Sequence, residues 1–226
     1  LRMSRGLGDV YKRQALDHAD LVIGKGEICA ILGPSGSGKS TILNMLGGLD
    51  TLDAGELTIE GRSLIGLTPK ERTLYRKEEV GFVFQFYNLI QDLTVEENIE
   101  VVSDISESPL DLSEVLGALE LEPYRRRFPR ELSGGQQQRA AIARAMIKNL
   151  RLLLCDELTG ALDTRSSKNV LQFVEKMNRQ YGTTVVIITH NEAIAKMADQ
   201  IIRIRDGRVE ESVFNEKKIP AEELEL

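Results

Sequence analysis

Cysteine is scarce and long apolar runs are missing from this 226-residue chain. Both absences narrow what it can be. The two cysteines, Cys29 and Cys155, each sit inside an apolar stretch, and their spacing builds neither a metal site nor a disulfide framework. They read as small core residues. Apolar runs such as Val185–Ile188 are far too short to cross a bilayer, and no charged-then-apolar signal opens the chain. A cytosolic protein is the expectation. Basic residues are also outnumbered, 29 Lys and Arg against 35 Asp and Glu, for a net charge of -6. That balance argues against a nucleic-acid partner. The Arg125-Arg126-Arg127 run reads as a solvated helix face. There is no internal repeat and no heptad insertion.

Leu1–Gln14 (LRMSRGLGDVYKRQ) lacks apolar periodicity. Its segment Asp9–Gln14, DVYKRQ, matches a translation of the end of a transposase-based sequencing adapter. We read residues 1–14 as a foreign leader and set them outside the fold. From Ala15 the pattern is orderly. Ala15–Ile23 alternates loosely and predicts an antiparallel strand. Glu27–Leu32 is apolar enough for a strand buried on both faces, and Ser40–Leu49 reads as a helix. Leu57–Ile59 and Val80–Phe84 are further strands, and 92–132 is mostly helical with breaks at Pro109, Pro123 and Pro129. Leu152–Cys155 and Val185–Thr189 read as buried strands separated by a helix over Thr164–Tyr181, which favours right-handed crossovers and a parallel sheet. Asp206-Gly207 predicts a hairpin between Ile201–Arg205 and Arg208–Glu210. The acidic tail from Glu211 predicts a surface segment.

Two motifs carry chemistry on residue type alone. Gly33–Ser40 reads GPSGSGKS, between a buried strand and a helix. Glycines there let successive backbone amides turn inward on phosphate oxygens. Lys39 adds a positive charge near the β- and γ-phosphates, and the Ser40 hydroxyl can ligate Mg²⁺. Candidate nucleotide contacts are therefore Gly33, Pro34, Ser35, Gly36, Ser37, Gly38, Lys39, Ser40 and Thr41. Second, the strand 152–155 runs into Asp156-Glu157. Acids at the C-terminal edge of a parallel sheet stand where such sheets bind ligands. Asp156 is placed to hold Mg²⁺ through water, and Glu157 to polarise an attacking water.

Leu132–Gln136 reads LSGGQ, followed by Gln137-Gln138-Arg139 and a helix of small residues, Ala140–Met146. With this segment the chain resembles the nucleotide-binding subunits of ABC transporters over Ala15–Glu210, most closely the MacB/LolD-like group with FtsX-like permease partners. The resemblance implies an α/β fold with a P-loop NTPase (RecA-like) core and a mainly parallel sheet. An antiparallel β subdomain and an inserted helical subdomain accompany the core. Within 15–226 it places core and β subdomain at 15–85 and 151–211, the helical and signature part at 86–150, and a tail at 212–226.

It further implies an ATPase using ATP and Mg²⁺, with Lys39, Glu157 and His190 as catalytic residues. Gln85 corresponds to the Q-loop glutamine, a metal and water contact with Ser40 and Asp156 that also couples to the permease. Ser133, Gly134, Gly135 and Gln136 correspond to the signature that grips ATP held by the other copy of a homodimer. Ala161-Leu162-Asp163 corresponds to the D-loop, and His190 to the switch histidine. His18 has no such context and reads as a surface residue. The resemblance implies a location peripheral to the inner face of the cell membrane, and relatives that handle lipoproteins, macrolides or antimicrobial peptides. An alternative is a regulatory ATPase that drives a cell-envelope partner without transport.

Three departures stand out. Leu158 occupies the place of a usual proline after the acid pair, which predicts a slightly looser loop. The segment between Gln85 and Leu132 is a few residues shorter than in many relatives. The aromatic residue that stacks on adenine lies upstream of Ala15 in the family. Tyr11 is too close to Gly33 to take that place. Losing a base–aromatic stack costs about 1–3 kcal/mol, so this polypeptide is expected to bind ATP more weakly than one with the natural N-terminus.

Overall fold

A computed structural model describes residues 15–160 and 162–226. The reading of residues 1–14 as a leader, Tyr11, and the first D-loop residue Ala161 lie outside the described residues.

In chain order the elements are β1 (Ile28–Leu32), α1 (Lys39–Leu46), β2 (Thr58–Ile59), β3 (Arg62–Ser63), α2 (Pro69–Glu78), β4 (Val80–Val83), α3 (Val95–Ser103), α4 (Leu112–Ala118) and α5 (Gly134–Met146). They continue with β5 (Leu152–Asp156), α6 (Thr164–Tyr181), β6 (Thr184–Thr189), α7 (Glu192–Ala195), β7 (Gln200–Arg205) and β8 (Arg208–Phe214). One six-stranded sheet has the order β4-β5-β6-β1-β7-β8, and β2 and β3 form a separate antiparallel pair. Within the large sheet only the β7–β8 pairing is antiparallel.

The sheet lies between two apolar layers, and β1 shows how. Ile28, Ala30 and Leu32 face a cluster that holds Ile142 and Met146 of α5 and Val170, Val174 and Met177 of α6. Cys29 and Ile31 face the opposite cluster, with Ile42, Leu43 and Met45 of α1 and Tyr75 of α2. Period-2 alternation with both faces apolar is what a central parallel strand requires. Burial raises the Cys29 thiol pKa to about 12, so the group stays a neutral core side chain.

Capping fixes where the helices begin. Thr68 with Glu71, and Thr94 with Glu97, form reciprocal capping boxes at α2 and α3. Asp163 caps α6, and Gly182 ends it in the left-handed conformation at φ 66°. The predicted α6 bounds agree with the structure. Pro123 and Pro129 each open a short 3₁₀ turn, which breaks the 92–132 helical stretch as expected.

Three expectations need correction. Ala15–Ile23 is not a strand: His18 adopts φ 52°, which turns the chain and breaks the alternation after the buried Leu16. Its attachment includes Asp17, whose N–H donates to the Gly207 carbonyl at 2.8 Å. Second, α2 was not anticipated, because Tyr75 is its one buried residue and its other large apolar residue, Leu74, is exposed. Third, the segment after Glu211 is not all surface. β8 continues to Phe214, Lys218 pairs with Asp199 at 2.9 Å, and Ala221 and Leu224 are buried against the α5–α6 layer.

Leu224 is 1% exposed. Leu224→Ala is expected to cost about 2–4 kcal/mol by opening a cavity and to lower Tm by several degrees in calorimetry. The same change at the exposed Leu74 should leave Tm nearly unmoved. Equal melting of the two variants would contradict a docked tail.

Candidate functional site

Parallel pairing brings four chain segments to one edge. β1 ends at Leu32, paired with Thr189 at the end of β6, and Asp156 at the end of β5 pairs with Ile188. β4 ends at Val83 beside Cys155. The Gly33 loop, Gln85, Glu157 and His190 therefore all leave the same C-terminal edge of the sheet.

The Gly33–Lys39 loop has geometry that side chains would block. A Cβ on Gly33 would lie 2.1 Å from the Ile204 carbonyl oxygen, and one on Gly38, at φ 103°, would lie 2.6 Å from the Ala15 carbonyl. The β7–β8 turn braces the loop from outside, with the Gly207 N–H donating to the Ser37 carbonyl at 3.0 Å. Lys39 Nζ donates to the carbonyls of Gly33 at 2.7 Å and Pro34 at 2.9 Å. This arrangement fixes the ammonium within the loop and leaves its third proton for a ligand. α1 opens without a side-chain cap and without an acid in its first turn. Its leading amides thus meet no carboxylate from the helix's own first turn, and the helix dipole favours an anion there. The buried Ser37 hydroxyl has no hydrogen-bond partner among the described residues. Together these features fit a polyphosphate.

The acid pair is divided by environment. Asp156 is half-buried, and its pKa lies above the ordinary aspartate value. Burial is the main cause, followed by the charge of Glu157, while Lys39 and a hydrogen bond from Ser40 pull the other way. A penalised carboxylate beside a serine hydroxyl is a hard oxygen donor set that a divalent cation would relieve, which fits Mg²⁺. Glu157 sits at φ 49°, a left-handed conformation that costs of order 1–3 kcal/mol for a non-glycine residue. Its amide donates to the Ile188 carbonyl at 3.0 Å. Its Oε1 lies 3.0 Å from Nδ1 of the exposed His190. Beyond the turn, a Cβ on Gly160 would come within 3.0 Å of the Gln85 amide nitrogen, so Gln85 rests against the loop that follows Glu157.

Ser133–Gln136 forms the N-terminus of α5. Ser133 Oγ accepts from the Gln136 N–H at 3.3 Å, and Gln136 Oε1 accepts from the Ser133 N–H at 2.8 Å. Gly135 is pressed against Ser166 of α6, where a Cβ would meet the serine at 3.0 Å. Ser166 in turn donates to Asp163, whose carboxyl is held below the usual range chiefly by the Ser166 backbone N–H. Among the described residues, no hydrogen bond joins this segment to the Gly33–Thr41 loop. The structure thus gathers Gly33–Thr41, Gln85, Asp156, Glu157 and His190 at one edge and holds Ser133–Gln136 with Asp163 in a second group. His18 is exposed beside Asp17.

Sequence reasoning missed one contributor outright and the burial of another. Arg144, late in α5, donates to the carbonyls of Asn88 at 2.6 Å and Tyr87 at 3.2 Å, tying the signature helix to the stretch after Gln85. Leu158, noted above for standing where a proline is usual, is buried in the main core. The Asp206-Gly207 signal was legible as a hairpin, but its role as a brace for the glycine loop was not.

A glycine-rich cradle between a buried strand and a helix, beside an acid pair ending a neighbouring parallel strand, defines a P-loop nucleotide-binding core. The family model described as "ABC transporter" matches residues 16–160. The chain belongs to the ABC transporter family, as its ATP-binding cassette. It is 43% identical over 197 residues to the putative ABC transporter ATP-binding protein MG467 homolog of Mycoplasma pneumoniae, covering 86% of this chain and 58% of that protein. It is also 43% identical over 209 residues to the macrolide export ATP-binding/permease protein MacB of Escherichia coli, covering 90% of this chain and 32% of MacB. The solved dimeric structure of MJ0796, a bacterial ABC transporter cassette, superposes with a TM-score of 0.85 at 38% identity, over 94% of this chain and 96% of that one. A dimeric post-hydrolysis state of MJ0796 bound to ADP and Pi gives 0.84 at 37%, with the same coverages.

The raised Asp156 pKa has a signed consequence. Its charged form is penalised in the folded state, so its contribution to stability is greatest when protonated and declines as pH rises through its folded pKa. Asp156→Asn should therefore raise the Tm of the nucleotide-free protein at neutral pH. The gain should shrink as pH falls toward the ordinary aspartate range. A Tm lowered at neutral pH in a melting series would contradict the assignment.

Proposed function

We propose that the chain binds and hydrolyses ATP as the motor subunit of an ABC transporter, pairing head-to-tail with a second copy beneath a membrane permease. The observation that carries this reading is the meeting of the Lys39 cradle and the Glu157–His190 pair at one sheet edge. Gly33–Thr41 bind the triphosphate through backbone amides and the Lys39 ammonium. When bound, Mg²⁺ held by Ser40, by Asp156 through water and by Gln85 would neutralise charge on the β- and γ-phosphates. Glu157 orients the attacking water and accepts its proton, and His190 fixes the Glu157 carboxylate and contacts the γ-phosphate. Positioning and charge stabilisation supply most of the acceleration, because phosphoryl transfer needs little covalent chemistry from the protein.

The N-terminus of α5 is capped by Ser133 and Gln136, and among the described residues no hydrogen bond joins it to the Gly33–Thr41 loop of its own chain. This supports a second copy, whose bound triphosphate would complete the contact, with Asp163 at the seam. Closure then requires ATP in the interface, and hydrolysis reopens it. Arg144 is built to pass that motion to the Gln85 region. No helix among the described residues is long and apolar enough to cross a membrane. We propose an FtsX/MacB-like permease as the membrane part that this cassette drives. The chain would then sit peripherally on the cytoplasmic face. MacB is named for macrolide export, and we propose cargo of that kind, a macrolide, lipoprotein or antimicrobial peptide.

Lys39→Ala is expected to abolish ATP binding in a nucleotide titration. Glu157→Gln is expected to leave binding intact, cut turnover by about 10²–10⁴-fold and trap an ATP-bound dimer in light scattering. Persistent monomers of Glu157→Gln at saturating ATP would contradict the two-copy arrangement.

A further inference from the structure

The turn after the acid pair is locked in a way the active-site chemistry does not by itself require. The Gly160 N–H donates to the Glu157 carbonyl at 3.0 Å, which closes a four-residue turn with Leu158 at its second position. That position favours proline, whose ring presets the backbone angle. A leucine supplies no such restraint on the backbone. Its side chain compensates: Leu158 is 2% exposed and belongs to the same apolar cluster as Val83, Cys155 and Ile187. Glu157, at φ 49°, therefore stands between two buried anchors, with Cys155 two residues before it and Leu158 directly after. The far end of the turn has little slack either, since Gly160 lies against Gln85. A left-handed residue persists only where its surroundings over-determine it. Here the surroundings are the Ile188 hydrogen bond, the Gly160 hydrogen bond and the buried Leu158 side chain.

We propose that Leu158 is a positioning residue for hydrolysis: its buried side chain replaces a backbone lock and aims the Glu157 carboxylate at His190 and the cradle. The proposal rests on the reading of Glu157 as the group that polarises water. A leucine that merely fills the core would affect melting and leave the chemical step alone. A positioning leucine affects the chemical step through the direction of its neighbour, and an ångström-scale misplacement of a reacting group costs up to about a hundredfold in rate.

The test combines steady-state ATPase kinetics, a nucleotide titration and thermal melting on Leu158→Ala, Leu158→Met and Leu158→Pro, with Glu157→Gln in parallel. Leu158→Ala is expected to lower kcat about ten- to hundredfold while ATP affinity stays near wild type. Leu158→Met should restore both kcat and Tm. Leu158→Pro should recover most of kcat while melting as low as the alanine variant, because the ring fixes the turn without filling the core. Leu158→Val carries the same measurement under conditions where the alanine variant does not fold. Wild-type kcat in a Leu158→Ala or Leu158→Val protein with lowered Tm would overturn the proposal, as would a folded Leu158→Pro as slow as alanine. Full turnover by Glu157→Gln would overturn the reading of Glu157 and this proposal with it. An inactive Glu157→Gln beside a fully active Leu158→Ala would remove the proposal alone.

Discussion

Gripping a triphosphate with backbone amides is the constraint from which the remainder of this architecture follows. Amides point inward only where side chains are absent, and the loop that carries them must be held rigidly or the charge would pull it apart. Gly33 lies against the Ile204 carbonyl and Gly38 against Ala15, so the β7–β8 turn and the residues before β1 brace the cradle. Lys39 anchors the mouth by donating to two carbonyls of the loop it serves. A strand buried on both faces then holds the loop's entry, and α1 its exit. A loop closed on every side would admit no nucleotide, so a cradle of this kind needs an open side. That opening is what a second copy's α5 terminus is suited to fill.

The same edge stores strain where chemistry is proposed. Burial and the charge of Glu157 oppose ionisation of Asp156, and Glu157 sits in a conformation that unconstrained residues avoid. Each cost is offset by groups that serve binding: Ser40 and Lys39 for Asp156, the Ile188 carbonyl and Leu158 anchor for Glu157. The signature helix touches α6 through Gly135 and Ser166, and reaches the stretch after Gln85 through Arg144. A shift of α5 on closure would therefore be felt at the Gln85 loop without passing through the sheet.

Much of this was legible in the residues, for reasons that can be named. β1, β5 and β6 are unbroken apolar runs because both of their faces are covered, and α6 carries a cap at Asp163 and a stop at Gly182. The cradle was legible because its glycines are obligatory. Ala15–Ile23 misled because a single left-handed His18 breaks an alternation that composition alone supports. α2 hid because Tyr75 is its one buried residue, although Thr68-Pro69 and Glu71 already spelled a capped start. The burial of Leu158 and of the tail's Leu224 was opaque for a common reason. Both are isolated apolar residues in irregular segments, and burial there is decided by distant partners rather than by local periodicity.

The claim on which the account stands is that each catalytic site draws groups from two copies. Mixing two variants, each inactive by itself, tests it most directly: Lys39→Ala, which spoils the cradle, and Ser133→Arg, which spoils the signature. A mixed dimer contains one site in which an intact cradle faces an intact signature, so ATPase activity is expected to reappear on mixing. Activity of the mixture that stays at the sum of the separate proteins, with mixed dimers shown to form, would contradict it.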